Sequence, residues 1–576
     1  MTMQKTKNVF NNYTYAEVNG VLHYGMLQYD PQAKESTFVA YGQYIGIEKV
    51  SEDMDGGNKV ITIGFDDLQG MTHSIDAERG ILGKKKELLT RLLDQGADVA
   101  APHMNVLLLC LRKSELMAEK GRCFHRTGWI FEKKTDSNGK SYTDQRFKSS
   151  ELIALDEKQN ETRYVGPYDL GKKGSFEAWK DIVTKWIIGT IPLEIAVLIG
   201  LSPIISSGWG ARNLIFHLMG DSGKGKTTCG VASLAVSGCP NPLETATRRD
   251  TEGKRMRSLM SSWRGTPNAL TAKLDGLDGT LMVFDELSKL EDNRLLAPVI
   301  YTVSDGSDKE RMESPAAMQT TNVFRTNVLS LGEESLLKKV EAKNSGINVR
   351  VCEIRDEFTK SSEQAEAIVQ GCYENYGHAA PLFARYIVEN LSYEKVAQIR
   401  EKNLEEYTTA LLDAGCPSET PRRLAEFGAV LLTVAEIAEK ALGIDFSRAA
   451  VKEYLVQQQC NTEQNEDIGL RARAALLDYI TTHNANFVTD GSLRWDKSIP
   501  CFGRIDLSKD GKSREVSIPT GKFSEIMRQL GFNNAELVID KLKGHGLVSY
   551  EANKRYRKRT ITKATGKVPA YVILYP

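Results

Sequence analysis

The nine cysteines are scattered, with no C-x-x-C pair and no Cys/His grouping at zinc-ligand spacing. Cys123 and His125 stand close, but two ligands do not make a structural zinc site, so a reduced, zinc-free protein is expected. The opening MTMQKTKNVFNNYTYAEV lacks the apolar stretch of a secretory signal. No apolar run is both long and uninterrupted: Ile188 to Ile205 contains Pro192, Glu194 and Pro203. A charge there is costly in lipid, so buried core helices, no membrane contact and a cytoplasmic location are expected. There is no internal repeat and no low-complexity tract, which sets aside solenoids and fibrous proteins. Nor is there an excess of charge, since Lys plus Arg and Asp plus Glu both total 75. Any nucleic-acid surface therefore has to be sought in local clusters.

What is present has room for three or four domains in 576 residues. Short runs such as Val18–Leu22, Ser36–Val39 and Lys59–Phe65, separated by Gly and Asp, predict strands. Lys84–Leu93 and Asn105–Met117 carry helical spacing, and Arg126–Ile130 leads to a turn at Asp136–Gly139. Residues 1–165 thus read as a β-rich α+β domain, ending at the polar stretch Glu157–Lys173. Residues 175–206 predict helices and Asn213–Met219 a buried strand. Strand, loop and helix then recur to about residue 357. Helical sequence from Ser361 to Gln459 would serve as a lid, completing a domain over 175–455. The polar run Gln457–Glu466 predicts a linker or loop. Helix, strand, helix, helix, strand and strand over 465–576 suit a winged helix.

Gly220-Asp221-Ser222-Gly223-Lys224-Gly225-Lys226-Thr227 is a complete G-x-x-x-x-G-K-[ST], with Thr228 opening a small-residue helix. The glycines let the backbone turn its N–H groups toward phosphates at a helix N-terminus. Lys226 would reach the β- and γ-phosphates of ATP, and Thr227 would hold Mg²⁺. Leu281–Phe284 delivers Asp285 and Glu286 to a strand end; continuous apolar sequence fits a strand buried on both faces. Asp285 would hold the Mg²⁺ shell and Glu286 would polarise the attacking water, so hydrolysis is expected. Ser330, ending a third strand, is either a γ-phosphate sensor or a solvated terminus. Arg350, opening a fourth, is either a finger to a neighbouring subunit's nucleotide or an ordinary surface arginine.

Beside these residues stand Leu92–Gly96, Thr127-Gly128-Trp129, Leu329–Glu333, Asn375–Ala379 and Arg422-Arg423. With them the chain resembles the domain-of-unknown-function 927 family of mobile-element and phage-type proteins. Within it the chain is similar to the staphylococcal cassette-element helicases, which are compared with minichromosome-maintenance ring helicases. The resemblance covers about residues 85–450. It implies an AAA+-type ring, a homo-hexamer sharing nucleotide sites between subunits, with Arg422 as a second sensor or a helix-end residue. The expected fold is therefore an α/β P-loop NTPase core of AAA+ type, with an N-terminal α+β domain and a C-terminal winged-helix domain. The helices before the Gly-rich loop and the lid favour that core over a RecA-type one. The family's Gly-x-Gly-Lys-x-Arg run stands here as Gly306-Ser307-Asp308-Lys309-Glu310-Arg311, keeping both cations but not the second glycine.

Ring helicases project a pore hairpin from the region occupied here by Asp305–Thr321. On a hairpin arm Lys309 and Arg311 would face one way and track phosphates; the alternative is a solvated loop. Lys554, Arg555, Arg557, Lys558 and Arg559, followed by Lys563 and Lys567, place seven cations and no acid in fourteen residues. They lie between Gly546–Tyr550 and Ala570–Leu574, read as wing strands, beside a helix at Asn534–Lys543. They would touch DNA phosphates; the alternative is a basic surface that binds nothing in particular or an acidic partner. The resulting expectation is an ATP-dependent DNA helicase acting on single-stranded and forked DNA, replicating a mobile element or phage with replication proteins as partners. Two others compete: an ATPase switch that remodels a protein or nucleoprotein partner without unwinding, and a DNA-binding regulator whose ATPase controls assembly.

Overall fold

The structure is a computed structural model of the chain. It describes residues 12–575 apart from 136–138, 157–161, 211, 251–253, 291, 308–311, 315–316, 319–322, 341–344, 417–420, 467, 490–494, 496–497, 508–513, 533 and 553. The chain folds as two compact units, Met1–Leu412 with Thr420–Gln458, and Asp413–Glu419 with Gln459–Pro576.

The first unit begins with antiparallel strands Tyr13–Val18, Val21–Asp30 and Glu35–Gln43. The run Val18–Leu22 is not one strand. Asn19 and Gly20, at φ 53° and 81°, form a two-residue turn within it, the Asn-Gly pair that favours a hairpin matching strand twist. A mixed five-stranded sheet follows, ordered Arg163–Tyr164, Glu119–Phe124, Ile45–Asp53, Lys59–Asp66, Thr72–Glu78. Helices Lys85–Asp94 and Met104–Glu115 present Leu88, Leu92, Leu107 and Leu111 to a core shared with Ile45, Ile61, Ile63 and Phe65. Each fully buried side chain of this kind contributes about 1.5–3 kcal/mol. Gly128–Thr135 and Ser141–Lys148 pair as a hairpin.

Helix α1 (Ile191–Trp209) is long and apolar enough to cross a membrane, but 83% of its apolar window is buried inside the fold. Glu194 within it is fully buried and satisfied: its carboxylate accepts from Gly189 N at 2.8 Å, Ser447 N at 2.8 Å and Ser447 Oγ at 3.2 Å. Then come β1 (Ile215–Met219), α2 (Lys226–Leu234), β2 (Met260–Ser262), β3 (Met282–Asp285), α3 (Leu296–Asp305), β4 (Val328–Gly332) and β5 (Val351–Arg355). The five strands form an all-parallel sheet in the order β2-β3-β4-β1-β5. Burial on both faces explains the apolar majority of β1, β3, β4 and β5, while His217, Ser330 and Glu353 are buried polar residues within them. Between α3 and β4, Met312–Ser314 pairs antiparallel with Ala317–Met318.

Five helices follow: α4 (Ser362–Glu374), α5 (Ala379–Asn390), α6 (Tyr393–Asp413), α7 (Pro421–Leu442) and α8 (Arg448–Glu466). The expected linker at Gln457–Glu466 is instead the end of α8. Gln and Glu are good helix formers, and no Gly or Pro interrupts them. The second unit contains α9 (Ile468–Thr482), β6 (Phe487–Thr489), β7 (Gly503–Leu507), β8 (Arg514–Pro519), α10 (Thr520–Gln529) and α11 (Ala535–Gly544). It ends with β9 (Val548–Ser549), β10 (Arg557–Thr560) and β11 (Lys567–Tyr575). The sheet runs β6-β7-β8-β11-β9, with β10 also on β11. Its core packs Leu476, Phe523, Ile526, Val538 and Ile539 against Ile518 and Ile573.

Candidate functional site

The Gly-rich loop joins β1 to α2 at the C-terminal end of the parallel sheet, where ligands of open α/β sheets gather. Gly223 and Gly225 have φ of 77° and 86°, and Gly225 also has no room for a Cβ, which would lie 2.5 Å from the Thr359 side chain. Asp221, Ser222 and Gly223 are exposed along the loop, and Thr228 is buried behind it. Lys226 Nζ lies over the loop, donating to the carbonyls of Gly220 at 2.6 Å and Asp221 at 2.7 Å. Lys224 forms an ion pair with Glu357, and Phe358 N–H donates to its carbonyl at 2.8 Å. The stretch leaving β5 therefore rests on the loop. Tyr454 of α8 holds that stretch through Asp356 at 2.6 Å.

The acid pair meets the loop from the side. Thr227 Oγ1 is 3.4 Å from Asp285 Oδ2. Burial raises the Asp285 carboxyl above the usual carboxylate range, and the neighbouring Glu286 charge adds to that, while the Glu286 N–H at 2.7 Å opposes it. A hydroxyl and a partly buried carboxylate are hard oxygen donors that suit Mg²⁺. Among the described residues no group of three or more His, Cys, Asp or Glu could hold a metal ion. Glu286 is left-handed at φ 58°, a conformation costing a non-glycine residue on the order of 1–3 kcal/mol. Its half-exposed side chain is ion-paired with Lys289.

Ser330 lies inside its strand, which runs on to Gly332. Fully buried, its Oγ accepts from Trp263 Nε1 at 3.0 Å and contacts His217 Nδ1 at 2.9 Å. His217 Nε2 faces the Glu334 carbonyl at 2.9 Å and so carries the proton, leaving Nδ1 to accept from Ser330. Burial lowers the ring's pKa to about 4. A histidine in an apolar strand beside a Gly-rich loop must find such partners, which was the available sequence signal. Arg350 precedes β5 and is held locally. It donates to the Gly346 carbonyl at 2.7 Å, lies 3.7 Å from Asp305 and stacks on Tyr301 at 4.6 Å. Arg422 is exposed and ion-paired with Glu401. Lys309 and Arg311 lie outside the described residues.

In the second unit α10, α11 and the turn before β10 surround a cleft of about 800 Å³. Arg555 crosses it, bonding to Asp540 at 2.7 Å and Glu536 at 2.5 Å on α11. Lys554 pairs with Glu551 at 3.0 Å and Arg559 with Glu515 at 2.5 Å. Lys558 donates its backbone N–H to Glu551 at 3.1 Å. Among the described residues no acid forms an ion pair with Arg557, Lys563 or Lys567. Some of the basic run thus serves the protein's own acids and some remains available.

Residues 13–323 match the family described as Domain of unknown function (DUF927), over half of the chain. The protein belongs to the DUF927 family. Residues 467–576 match the Cch helix turn helix domain. Among solved structures, one described as "SCCmec type IV Cch - active helicase" is 22% identical, with a TM-score of 0.69 and 97% of each chain covered. At that identity the likeness shows that this DUF927 protein shares the fold. No curated protein matches the chain.

Proposed function

We propose that the protein is an ATP-dependent DNA helicase whose first unit carries an AAA+-type P-loop ATPase and whose second unit contacts DNA. The observation that carries the ATPase reading is the approach of Thr227 to Asp285 at 3.4 Å, with Glu286 next in the chain. The strand order supports it: β4 stands between the loop strand and the acid-pair strand, so its end lies where a terminal phosphate would be sensed. The helices after β5 supply a lid. The helicase reading draws on the shared fold with a protein described as an active helicase, and DNA contact on the helix-turn-helix match.

In this mechanism the N–H groups of Gly220–Thr228 cradle the phosphates of ATP, and Lys226 moves from its loop carbonyls onto the β- and γ-oxygens. Thr227 and Asp285 would hold Mg²⁺, which would draw charge from the phosphates when bound. Glu286, once released from Lys289, orients the attacking water and accepts its proton. Ser330, enclosed within β4, touches no phosphate and instead fixes the β4 exit through His217 and the Glu334 carbonyl. Arg350 reaches a neighbouring subunit in a hexameric ring. Lys309 and Arg311, with Arg557 and Lys558, meet phosphates of single-stranded or forked DNA, whereas Lys554, Arg555 and Arg559 are engaged by Glu551, by Glu536 and Asp540, and by Glu515. The service is replication of a mobile element or phage.

The test is ATP turnover with and without single-stranded DNA, together with unwinding of a forked duplex, in wild type and Glu286→Gln. DNA-stimulated turnover and unwinding, both lost in the variant, are expected. Brisk turnover indifferent to DNA, without unwinding, would move the protein to the class of partner-remodelling switches.

A further inference from the structure

The cleft of about 800 Å³ beside α11 has no part in those steps. One of its walls is the start of α10, where Thr520 lines the opening. Pro519 holds the N-cap position there and supplies no side-chain acceptor, so the first N–H groups of the helix lack intrahelical partners. Another wall is Tyr571 of β11, which stands opposite Ile518 and packs edge-on to Phe523 at 5.0 Å. Tyr571 is only 6% exposed, yet among the described residues its hydroxyl makes no hydrogen bond. Buried polar groups are ordinarily paired. Burial raises the phenol above its ordinary value, so the hydroxyl keeps its proton and stands as a donor facing the cleft.

The remaining walls narrow the kind of ligand. Lys543 of α11 lies over the Tyr550 ring at 3.9 Å and forms no ion pair among the described residues. Tyr556 is half-buried and turns an aromatic ring to the cleft, with Lys554 Nζ 5.7 Å from its centroid. Unmet donors and a cation suit a phosphate, and a ring beside them suits a base. The volume is that of a small-ligand site, far too little for a duplex. Nor is α11 well made for a groove. Glu536 and Asp540 lie four residues apart on it, and Arg555 spans them from the turn before β10. A helix reads a major groove with a bare face, and here that bridge of two carboxylates and a guanidinium stands in the way. The same bridge neutralises both acids, so they do not repel a phosphate at the start of α10.

We propose that this cleft binds one nucleotide of an unpaired strand, its phosphate on Thr520, Tyr571 and the start of α10 and its base on Tyr556. The inference rests on the reading above that the second unit contacts DNA, and narrows that contact to a single strand held outside any groove. Lys543 supplies the counter-charge. Arg555 stays on Glu536 and Asp540, and Lys554 on Glu551.

The experiment irradiates the full-length protein, without ATP, on oligothymidine carrying 5-iododeoxyuridine and maps the crosslinked peptides. Wild type is compared with Tyr571→Phe and Thr520→Val. A crosslink at Tyr556 is expected in wild type, with its yield reduced about threefold to tenfold in each variant. Tyr571→Phe removes only the hydroxyl and keeps the ring on Phe523, and Thr520 is half-exposed at the helix start, so neither change disturbs the core. Excess unlabelled oligothymidine should suppress the crosslink, and the same excess of blunt duplex should leave it. A strand that crosslinks elsewhere in the chain but not at Tyr556 overturns the inference. So does an undiminished yield in either variant, or a duplex that competes as well as the single strand. A wild type that binds no strand at all overturns the DNA-contact reading and this inference with it; the other three results overturn this inference alone.

Discussion

Replacing His217 by Gln removes the titrating member of a buried chain, Trp263 to Ser330 to His217 to the Glu334 carbonyl. Burial lowers the ring from an ordinary value near 6.5 to about 4. Because the folded-state value is the lower one, the neutral ring's stabilisation is complete above pH 6.5 and is lost as pH falls toward 4. At about 1.36 kcal/mol per unit, the fold loses about 2 kcal/mol through this residue between pH 7 and pH 5. His217→Gln cannot protonate and escapes that loss, although at pH 7 it is itself destabilised by about 1–3 kcal/mol through imperfect replacement of the two hydrogen bonds. Urea unfolding followed by tryptophan fluorescence at both pH values, in both proteins, isolates the contribution, because losses from shared carboxylates cancel. If wild type and variant weaken equally between pH 7 and pH 5, the ring is not held neutral and the reasoning fails.

Gly128, at φ 109°, leaves a Cβ only 2.5 Å from that of Asp278. Gly128→Ala must therefore strain a left-handed backbone and press on Asp278, so a loss of about 2–5 kcal/mol is expected; an unchanged thermal melt would show that the two residues do not meet. Asp285→Asn should need about tenfold or more additional Mg²⁺ for turnover, and chelation by EDTA should stop the wild type; an unaltered Mg²⁺ titration would remove Asp285 from the metal site. Arg557→Ala should lower the slope of log DNA affinity against log salt by about 0.7–0.9. Arg559→Ala, whose side chain is engaged by Glu515, should leave that slope unchanged, and equal effects would refute the distinction. Arg350→Ala should abolish turnover of the assembled ring if the finger assignment is right; retained turnover assigns the residue to Tyr301 and Gly346 alone.

The Gly-rich turn between β1 and α2 and the strand ending in Asp285 and Glu286 were legible because each is written in a few adjacent residues, glycines at positive φ in one and an apolar run closed by two acids in the other. The strand alternation near the N-terminus was legible in outline, yet Val18–Leu22 concealed a turn because its apolar residues flank the Asn-Gly pair. Gln457–Glu466 looked like a loop because polarity was weighed above helix propensity. What could not be read were partnerships between distant residues. Ser330 and His217 are 113 positions apart, and Thr127 and Gly276 are 149 apart. Arg555 looked available for DNA because Asp540 lies fifteen positions away on a helix whose facing side only the tertiary fold defines.

Glu194 carries a consequence for biosynthesis. Its acceptors are met partly by Ser447, 253 positions later, so at about 5–20 residues per second the ribosome supplies that donor roughly 13–50 s after the glutamate. Throughout that interval a nineteen-residue apolar helix carries a carboxylate that only the neighbouring Gly189 N–H can meet. The charge that the finished core must enclose thus penalises insertion of the nascent segment into a bilayer. Replacing it with leucine would remove the buried charge from the native protein while giving the growing chain a more convincing membrane span.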